Sequence, residues 1–269
     1  LDGPVGKTFY IPHHHVINPH KEKIRIVWDC AAKYGKVSLN TETLQGPDFI
    51  NKLLGVLIRF RLRPVCLMAD IKSMYNMISI HKEDQDVLRF LWWENGDMTA
   101  QPKVYRMVRN LFGGIFSGAI SNYALHKTIQ DNEQIVSEDV KNIAFKCFYV
   151  DDLLVSLDSV SEAKSVAQEL KNLLQLGGFH LTKFVSNDRN VVSEIPNEEL
   201  AKGLQISLNE DVIERALGVH WNVHDDSFGY KASVEPKPHT KRGALSTLSS
   251  VYDPLGLIAP FILKARLIV

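Results

Sequence analysis

Only three cysteines, Cys30, Cys66 and Cys147, occur in the 269 residues, and no two share a CxxC spacing. That argues against a disulfide framework and against a cysteine-rich zinc module, and makes a reducing compartment the expected setting. Long apolar runs are missing too. No uninterrupted stretch reaches the roughly 18 residues of a membrane span, and the apolar tail from Leu255 to Val269 is broken by Pro260, Lys264 and Arg266. A membrane partner is therefore not expected. Internal repeats and low-complexity tracts are absent. With 45% hydrophobic and 23% charged residues, the composition is globular rather than disordered or collagen-like. The chain starts at Leu1 without a signal-peptide pattern and stops inside an apolar stretch. The expectation is an excerpt from a longer polypeptide.

Net charge is absent as well, since 31 basic side chains balance 31 acidic ones. A neutral total argues weakly against a nucleic-acid binder. The distribution weakens that objection. Residues 1–69 carry ten basic and five acidic side chains, together with His13, His14, His15 and His20. Residues 131–170 carry three basic and nine acidic ones. A polyanion could meet the first region while metal ions occupy part of the second.

The pattern of apolar residues predicts an α+β chain. Residues 1–23 read as irregular or edge structure, and Lys23 to Asp29 as a short strand. Asp48 to Arg61 has a helical period, with Pro47 suiting its start. Val65 to Asp70 is an apolar strand that ends at a carboxylate. Asp84 to Trp93 reads as helix then strand, Asn95-Gly96-Asp97 as a turn, and Val104 to Val108 as the returning strand. Ser117 to Gln130 is a helix. Phe145 to Val150 and Leu153 to Leu157 form a hairpin with Asp151 and Asp152 at its tip. Ser161 to Leu176 is an amphipathic helix, capped by Ser161 and ended by Gly177-Gly178. Phe179 to Val185 returns as a strand. Residues 188–211 read as a polar loop, Ala216 to Asn222 and Phe228 to Ser233 as a strand pair, and Thr240 to Tyr252 as a helix.

Three acids thus stand at strand ends: Asp70, Asp151 and Asp152. Hard divalent cations such as Mg²⁺ take oxygen ligands. Two of them about 3.5–4 Å apart can activate a hydroxyl and stabilise a leaving phosphate. Read alone, Asp70 is better explained as a turn former. The adjacent pair in an apolar hairpin is harder to explain that way, because two neighbouring carboxylates repel and an apolar setting raises the cost. A bound cation removes that penalty. Adjacent His13, His14 and His15 cannot all face one metal on a strand, so a solvated or phosphate-facing loop is the better reading than zinc.

At these residues the sequence resembles the reverse transcriptases. Tyr149-Val150-Asp151-Asp152 looks like their YxDD motif, and Asp70-Ile71-Lys72-Ser73-Met74-Tyr75 is similar to their first metal-binding motif. Phe112 to Ser117, Gly177 to Lys183 and Leu217 to Trp221 resemble three further motifs, in the family's order. The flanks Tyr10 to His14, Arg25 to Asp29, Ser38-Leu39-Asn40, Ser186-Asn187-Asp188 and Asp253 to Leu257 look like the BEL/Pao class of LTR retrotransposons.

The resemblance implies a right-hand polymerase. Residues 1–69 would be fingers with entry to the palm. Residues 70–235 would be palm, with an inserted fingers segment near 80–110, and residues 236–269 the start of the thumb. It implies template-directed addition of dNTPs to a primer 3′ end on RNA or DNA, with two Mg²⁺ ions or Mn²⁺ in their place. Asp70 and Asp151 would be the main metal ligands, Asp152 would support them, and the Ile71 carbonyl could complete a shell. Tyr75 matches the position under the incoming sugar, Arg25 the residue that grips the triphosphate, and Lys183 the lysine near the leaving pyrophosphate. Phe112 and Gly113 would line the nucleotide site, and Gly218 and Trp221 the primer grip. Read alone, Arg25 is a solvated-face residue, Tyr75 a packed aromatic, Lys183 a surface lysine and Trp221 a core residue. The resemblance also implies protease, RNase H and integrase segments elsewhere in the polyprotein, and a cytoplasmic retroelement particle. Phe112 stands where many relatives have Gln, and Gly118 where the family usually has Pro. Those departures keep a second reading open: a degenerate, nucleic-acid-binding remnant or domesticated protein.

Overall fold

The computed structural model describes residues 6–18, 23–202, 213–229 and 237–269. In chain order the strands are β1 (His13–Asn18), β2 (Lys23–Trp28), β3 (Val65–Ile71), β4 (Arg89–Trp92), β5 (Lys103–Arg106), β6 (Phe148–Tyr149), β7 (Asp152–Leu157), β8 (Leu181–Ser186), β9 (Ile213–Ala216), β10 (Val219–Asn222) and β11 (Ser227–Gly229). The helices are α1 (Leu39–Glu42), α2 (Leu53–Arg59), α3 (Met74–Met77), α4 (Ser117–Asp131), α5 (Glu138–Lys146), α6 (Val160–Leu176), α7 (Arg189–Val192), α8 (Lys241–Ser249) and α9 (Ala259–Ile268). The class is α+β with antiparallel sheets, as the sequence pattern predicts. The chain forms two compact units. One comprises residues 1–49, 73–130 and 177–179, the other residues 50–72, 131–176 and 180–269.

The first unit contains two hairpins, β1–β2 and β4–β5. The segment expected to be irregular or edge structure holds β1, because β2 offers a partner along its whole length. His20, in residues 19–22, lies outside the described residues. Ile11, Cys30, Leu39, Leu88 and Leu111 form the core of this unit. Ser38 and Thr41 close a reciprocal capping box on α1. That fixes Asn40, whose side-chain amide donates to the Gly113 carbonyl at 3.1 Å and whose oxygen accepts from Ile115 N–H at 3.0 Å.

The second unit is built on a four-stranded sheet in the order β6-β7-β3-β8. β3 reads Val-Cys-Leu-Met-Ala-Asp-Ile and is buried along nearly all its length. Such an unbroken apolar run suits a strand covered on both faces. α6 packs on β3 and β7, burying Ala163, Val166, Ala167, Leu170, Leu173 and Leu174 at helical spacing. Val56 and Leu57 of α2 and Phe60 at its C-cap cluster with Cys66, Met68, Leu154 and Val185 of the sheet. Ala216, Val219 and Trp221 of the β9–β10 hairpin join the same cluster.

Several local expectations change. α2 starts at Leu53 rather than Asp48, because the Asn51 amide donates to the Phe145 and Phe148 carbonyls at 2.8 and 2.9 Å and holds the approach extended. The cap of α6 is Ser159, which accepts from Glu162 N–H at 3.2 Å, not Ser161. Ala216 to Asn222 is not one strand but the end of β9, a two-residue turn and β10. Leu217 (φ 51°) and Gly218 (φ 90°) both take positive φ, as a type I′ turn requires. Of the expected strand Phe228 to Ser233, residues 230–233 lie outside the described residues, as do residues 203–211 of the polar loop. That loop begins with α7, which buries Val191 and Val192. α5 was not expected. Ser137 caps it by accepting from Val140 N–H, but its polar sequence hides the helical period.

Trp221 is fully buried, edge-on to Phe60 at 4.9 Å, and its indole N–H donates to Asp226 at 2.9 Å. Trp221→Ala should cost about 3–5 kcal/mol of stability in denaturant unfolding. A cost under about 1 kcal/mol would contradict this placement.

Candidate active site

Two strands and a turn assemble the acids. β3 and β7 pair antiparallel with Met68 opposite Leu154 and Asp70 opposite Asp152. Side chains two apart on a strand share a face. Asp70 and Asp152 therefore end the same sheet face that Met68 and Leu154 occupy in the core. Directly opposed residues have Cβ atoms about 4.5–5.5 Å apart. β6 turns into β7 through Val150 and Asp151, with Tyr149 paired to Asp152. A two-residue hairpin turn needs positive φ, and Val150 supplies it at 58°. For a β-branched residue this is strained, at a cost of roughly 1–2 kcal/mol. The Ile71 amide donates to the Asp151 carbonyl at 2.8 Å and ties the turn back to β3.

The fourth member comes from an irregularity in β8. Met68 pairs with Val185, but Asp70 pairs with Thr182, so Lys183 and Phe184 together oppose Ala69. This is a β-bulge, with Lys183 at φ 57°. The bulge aims the ammonium of Lys183 at Asp70, 2.7 Å from Oδ2. Lys183 is otherwise largely exposed, while Asp70 is mostly buried.

Electrostatics follow from this crowding. Burial raises the Asp151 carboxyl above the usual range, and the Asp70 charge adds to it. Burial pushes Asp152 up to about 7, with the charges of Asp151 and Asp70 contributing. Lys183 acts the other way on both. Glu214 of β9 is also raised by burial and relieved by Lys183. Glu214 was not singled out in the sequence. Its signal was a carboxylate two residues before Ala216, on the strand face that the core uses.

The donor set suits a hard divalent cation: three carboxylates around one strand pair, in a setting that penalises their charge. Among the described residues, no three His, Cys, Asp or Glu side chains are arranged to hold a metal ion as they stand. Asp70 is engaged by Lys183 instead.

Of the other expected residues, Tyr75, Phe112, Gly113 and Arg25 belong to the first unit. Tyr75 and Phe112 stack at 4.3 Å with rings 12° apart, and Phe112 is 55% exposed. Gly113 has φ 114°, and a Cβ there would lie 2.3 Å from the Trp28 carbonyl oxygen, so only glycine fits. Arg25 stands exposed on β2 opposite Val16. His13 lies against Trp28, Phe90 and Trp92. In the second unit Ile71 is buried, Gly218 is exposed at its turn, and Trp221 is a core residue. The expectation that the Trp221 ring meets a primer is corrected: a fully buried indole with its N–H engaged has no surface to offer.

The raised Asp152 has a consequence for stability without metal. Its folded value, about 7, exceeds the unfolded range near 3.9. Stability held below pH 4 should therefore be lost as pH rises to about 7. In EDTA, Asp152→Asn should raise the melting temperature at pH 8 and flatten its fall between pH 5 and 8. An unchanged pH profile would refute the crowding.

No family model matches the chain, and no curated protein matches it. Solved structures do. One is a foamy viral protease–reverse transcriptase in complex with double-stranded DNA: 17% identity over 95% of this chain and 38% of that chain, TM-score 0.59. Another, in complex with double-stranded DNA, gives 19% identity over 95% and 46%, TM-score 0.57. A third, in complex with an RNA/DNA hybrid, gives 15% identity over 98% and 31%, TM-score 0.53. The chain thus spans less than half the length of these structures, and it has a reverse transcriptase-like fold.

Proposed function

We propose that this chain is the polymerase part of a retroelement Pol polyprotein of the BEL/Pao class, an RNA-directed DNA polymerase. The observation that carries the reading is Asp70 facing Asp152 across β3 and β7, with Asp151 on the adjoining turn, in a reverse transcriptase-like fold. The nucleic acids in the neighbouring structures support an RNA or DNA template with primer as the partner. Protease, RNase H and integrase segments and a cytoplasmic particle belong to the same proposal.

Asp70 and Asp151 would hold Mg²⁺, with Asp152 and the Ile71 carbonyl in support; Mn²⁺ suits the same oxygen donors. When bound, two such ions supply positive charge at the attacking hydroxyl and the departing phosphate. The chain's own groups do the rest. The Lys183 ammonium, once displaced from Asp70 by the cation, would face the leaving pyrophosphate. Arg25 offers a planar fork to the triphosphate. The Tyr75 ring, backed by Phe112, excludes a 2′-hydroxyl. The exposed turn at Gly218 meets the primer, while Trp221 anchors the hairpin's strand in the core.

The degenerate-remnant reading is favoured by one observation, the engagement of Asp70 by Lys183. Primer extension separates the two. On poly(rA)·oligo(dT) with dTTP and Mg²⁺ or Mn²⁺, the wild type should extend the primer, and Asp151→Asn should lower the rate at least about 10³-fold while the protein still folds. Duplex binding without extension in either protein would favour the remnant. Tyr75→Ala should admit rNTPs, and unchanged sugar discrimination would refute the gate.

A further inference from the structure

The strand that leads into the acidic turn is short and stands at an edge. β6 is only Phe148 and Tyr149. The sheet order β6-β7-β3-β8 leaves its far side without a strand among the described residues. Its pairing with β7 shows which way its carbonyls point. In an antiparallel ladder, hydrogen-bonded and non-hydrogen-bonded pairs alternate. Leu154 N–H donates to the Cys147 carbonyl at 2.9 Å. The neighbouring pair, Phe148 opposite Leu153, is therefore the non-hydrogen-bonded one. The Phe148 carbonyl accordingly faces away from β7, on the open edge.

Asn51 takes that carbonyl. Its side-chain amide donates to Phe148 at 2.9 Å and to the Phe145 carbonyl at 2.8 Å. Phe145 lies in the last turn of α5, where carbonyls have no helical partner. Arg59 donates to the Lys146 carbonyl between them. Asn51 precedes α2, whose Val56 and Leu57 sit in the core beside Leu154. One side chain thus pins both the end of α5 and the outer edge of β6 to a fixed helix.

The turn beyond β6 needs such a hold. Of its two residues, Val150 alone takes positive φ, at 58°. That is the pattern of a type II′ turn, whose first central position calls for glycine. A valine there is strained, and two ladder rungs are a weak means of enforcing it. We infer that Asn51 is a positioning residue for the acids: by holding the edge of β6, it keeps the strained Val150–Asp151 turn in the shape that sets Asp151 and Asp152 beside Asp70. The inference rests on the metal-site reading above.

Binding of Mn²⁺ alone to the full chain, read from the loss of the free-ion EPR signal at fixed pH and ionic strength, tests this without nucleotide or turnover. Asn51→Ala should weaken Mn²⁺ about tenfold, the low end of what loss of a supporting partner costs a metal site. The deciding arm changes the turn. In a Val150→Gly background positive φ carries no strain, so adding Asn51→Ala should weaken Mn²⁺ less than about twofold. Equal tenfold losses in both backgrounds would mean that Asn51 does not act through the turn, and would overturn the inference. So would a folded Asn51→Ala protein that binds Mn²⁺ as the wild type does while Asp151→Asn does not. If Asp151→Asn itself leaves Mn²⁺ binding unchanged, the metal site fails and the inference with it. Thermal melts show which variants fold. Where alanine does not, Asn51→Ser, which keeps one donor, enters the same comparison of the two backgrounds.

Discussion

The pairing of Asp70 against Asp152 across β3 and β7 is the constraint to which the second unit is fitted. Two carboxylates held opposite each other at the end of a buried sheet face repel, and a third at Asp151 adds to the load. The sheet cannot spread to relieve them, because its body is packed on α2, α6 and the β9–β10 hairpin. Relief must come from a positive charge. Lys183 brings one through a bulge in the neighbouring strand.

That arrangement is bought with backbone strain. Val150 and Lys183, both bearing side chains, adopt positive φ on either side of the acids, and Ser73 does so just beyond β3. Each such residue costs on the order of 1–3 kcal/mol and persists only where its surroundings over-determine it. Here the surroundings are visible. Asn187 accepts from Cys66 N–H and donates to the Pro64 carbonyl, both at 2.8 Å, fixing the start of β3. Lys72 N–H donates to the His180 carbonyl at 2.9 Å, fixing its end beside β8. In the first unit Asn40 does comparable work, clamping the turn around Gly113 and Gly114.

Much of this was legible in the amino-acid order. The apolar run before Asp70 is a strand because both sheet faces are covered, and a strand end is where a carboxylate can leave the core; of the strand expected over Phe145 to Val150, only Phe148–Tyr149 is strand, because Phe145 and Lys146 close the helix α5. Ser38-Leu39-Asn40 and Ser186-Asn187-Asp188 stood out only as flanks of a familial resemblance. The fold gives them cap and clamp roles that single-residue chemistry could have suggested. What was not legible depends on pairing between distant segments. The Lys183 bulge arises from the register of β8 against β3, and no local pattern in Leu-Thr-Lys-Phe-Val announces it. The Leu217-Gly218 turn was hidden because leucine rarely takes positive φ. Glu214 looked like an ordinary polar residue until Ala216 and Trp221 fixed which face of β9 is buried. Trp221 itself was open between primer contact and core, and its contact with Phe60 and hydrogen bond to Asp226 decide for the core.

The central proposal is that the acids at the end of this sheet face would hold a divalent cation, displacing the Lys183 ammonium from Asp70. Anomalous diffraction from crystals soaked in Mn²⁺ tests it most directly. The account predicts a manganese peak within about 2.6 Å of carboxylate oxygens of both Asp70 and Asp151, the range of divalent-cation distances to oxygen, with the Lys183 ammonium moved off Asp70. No peak at these carboxylates, or a peak with Lys183 still in contact with Asp70, would contradict it.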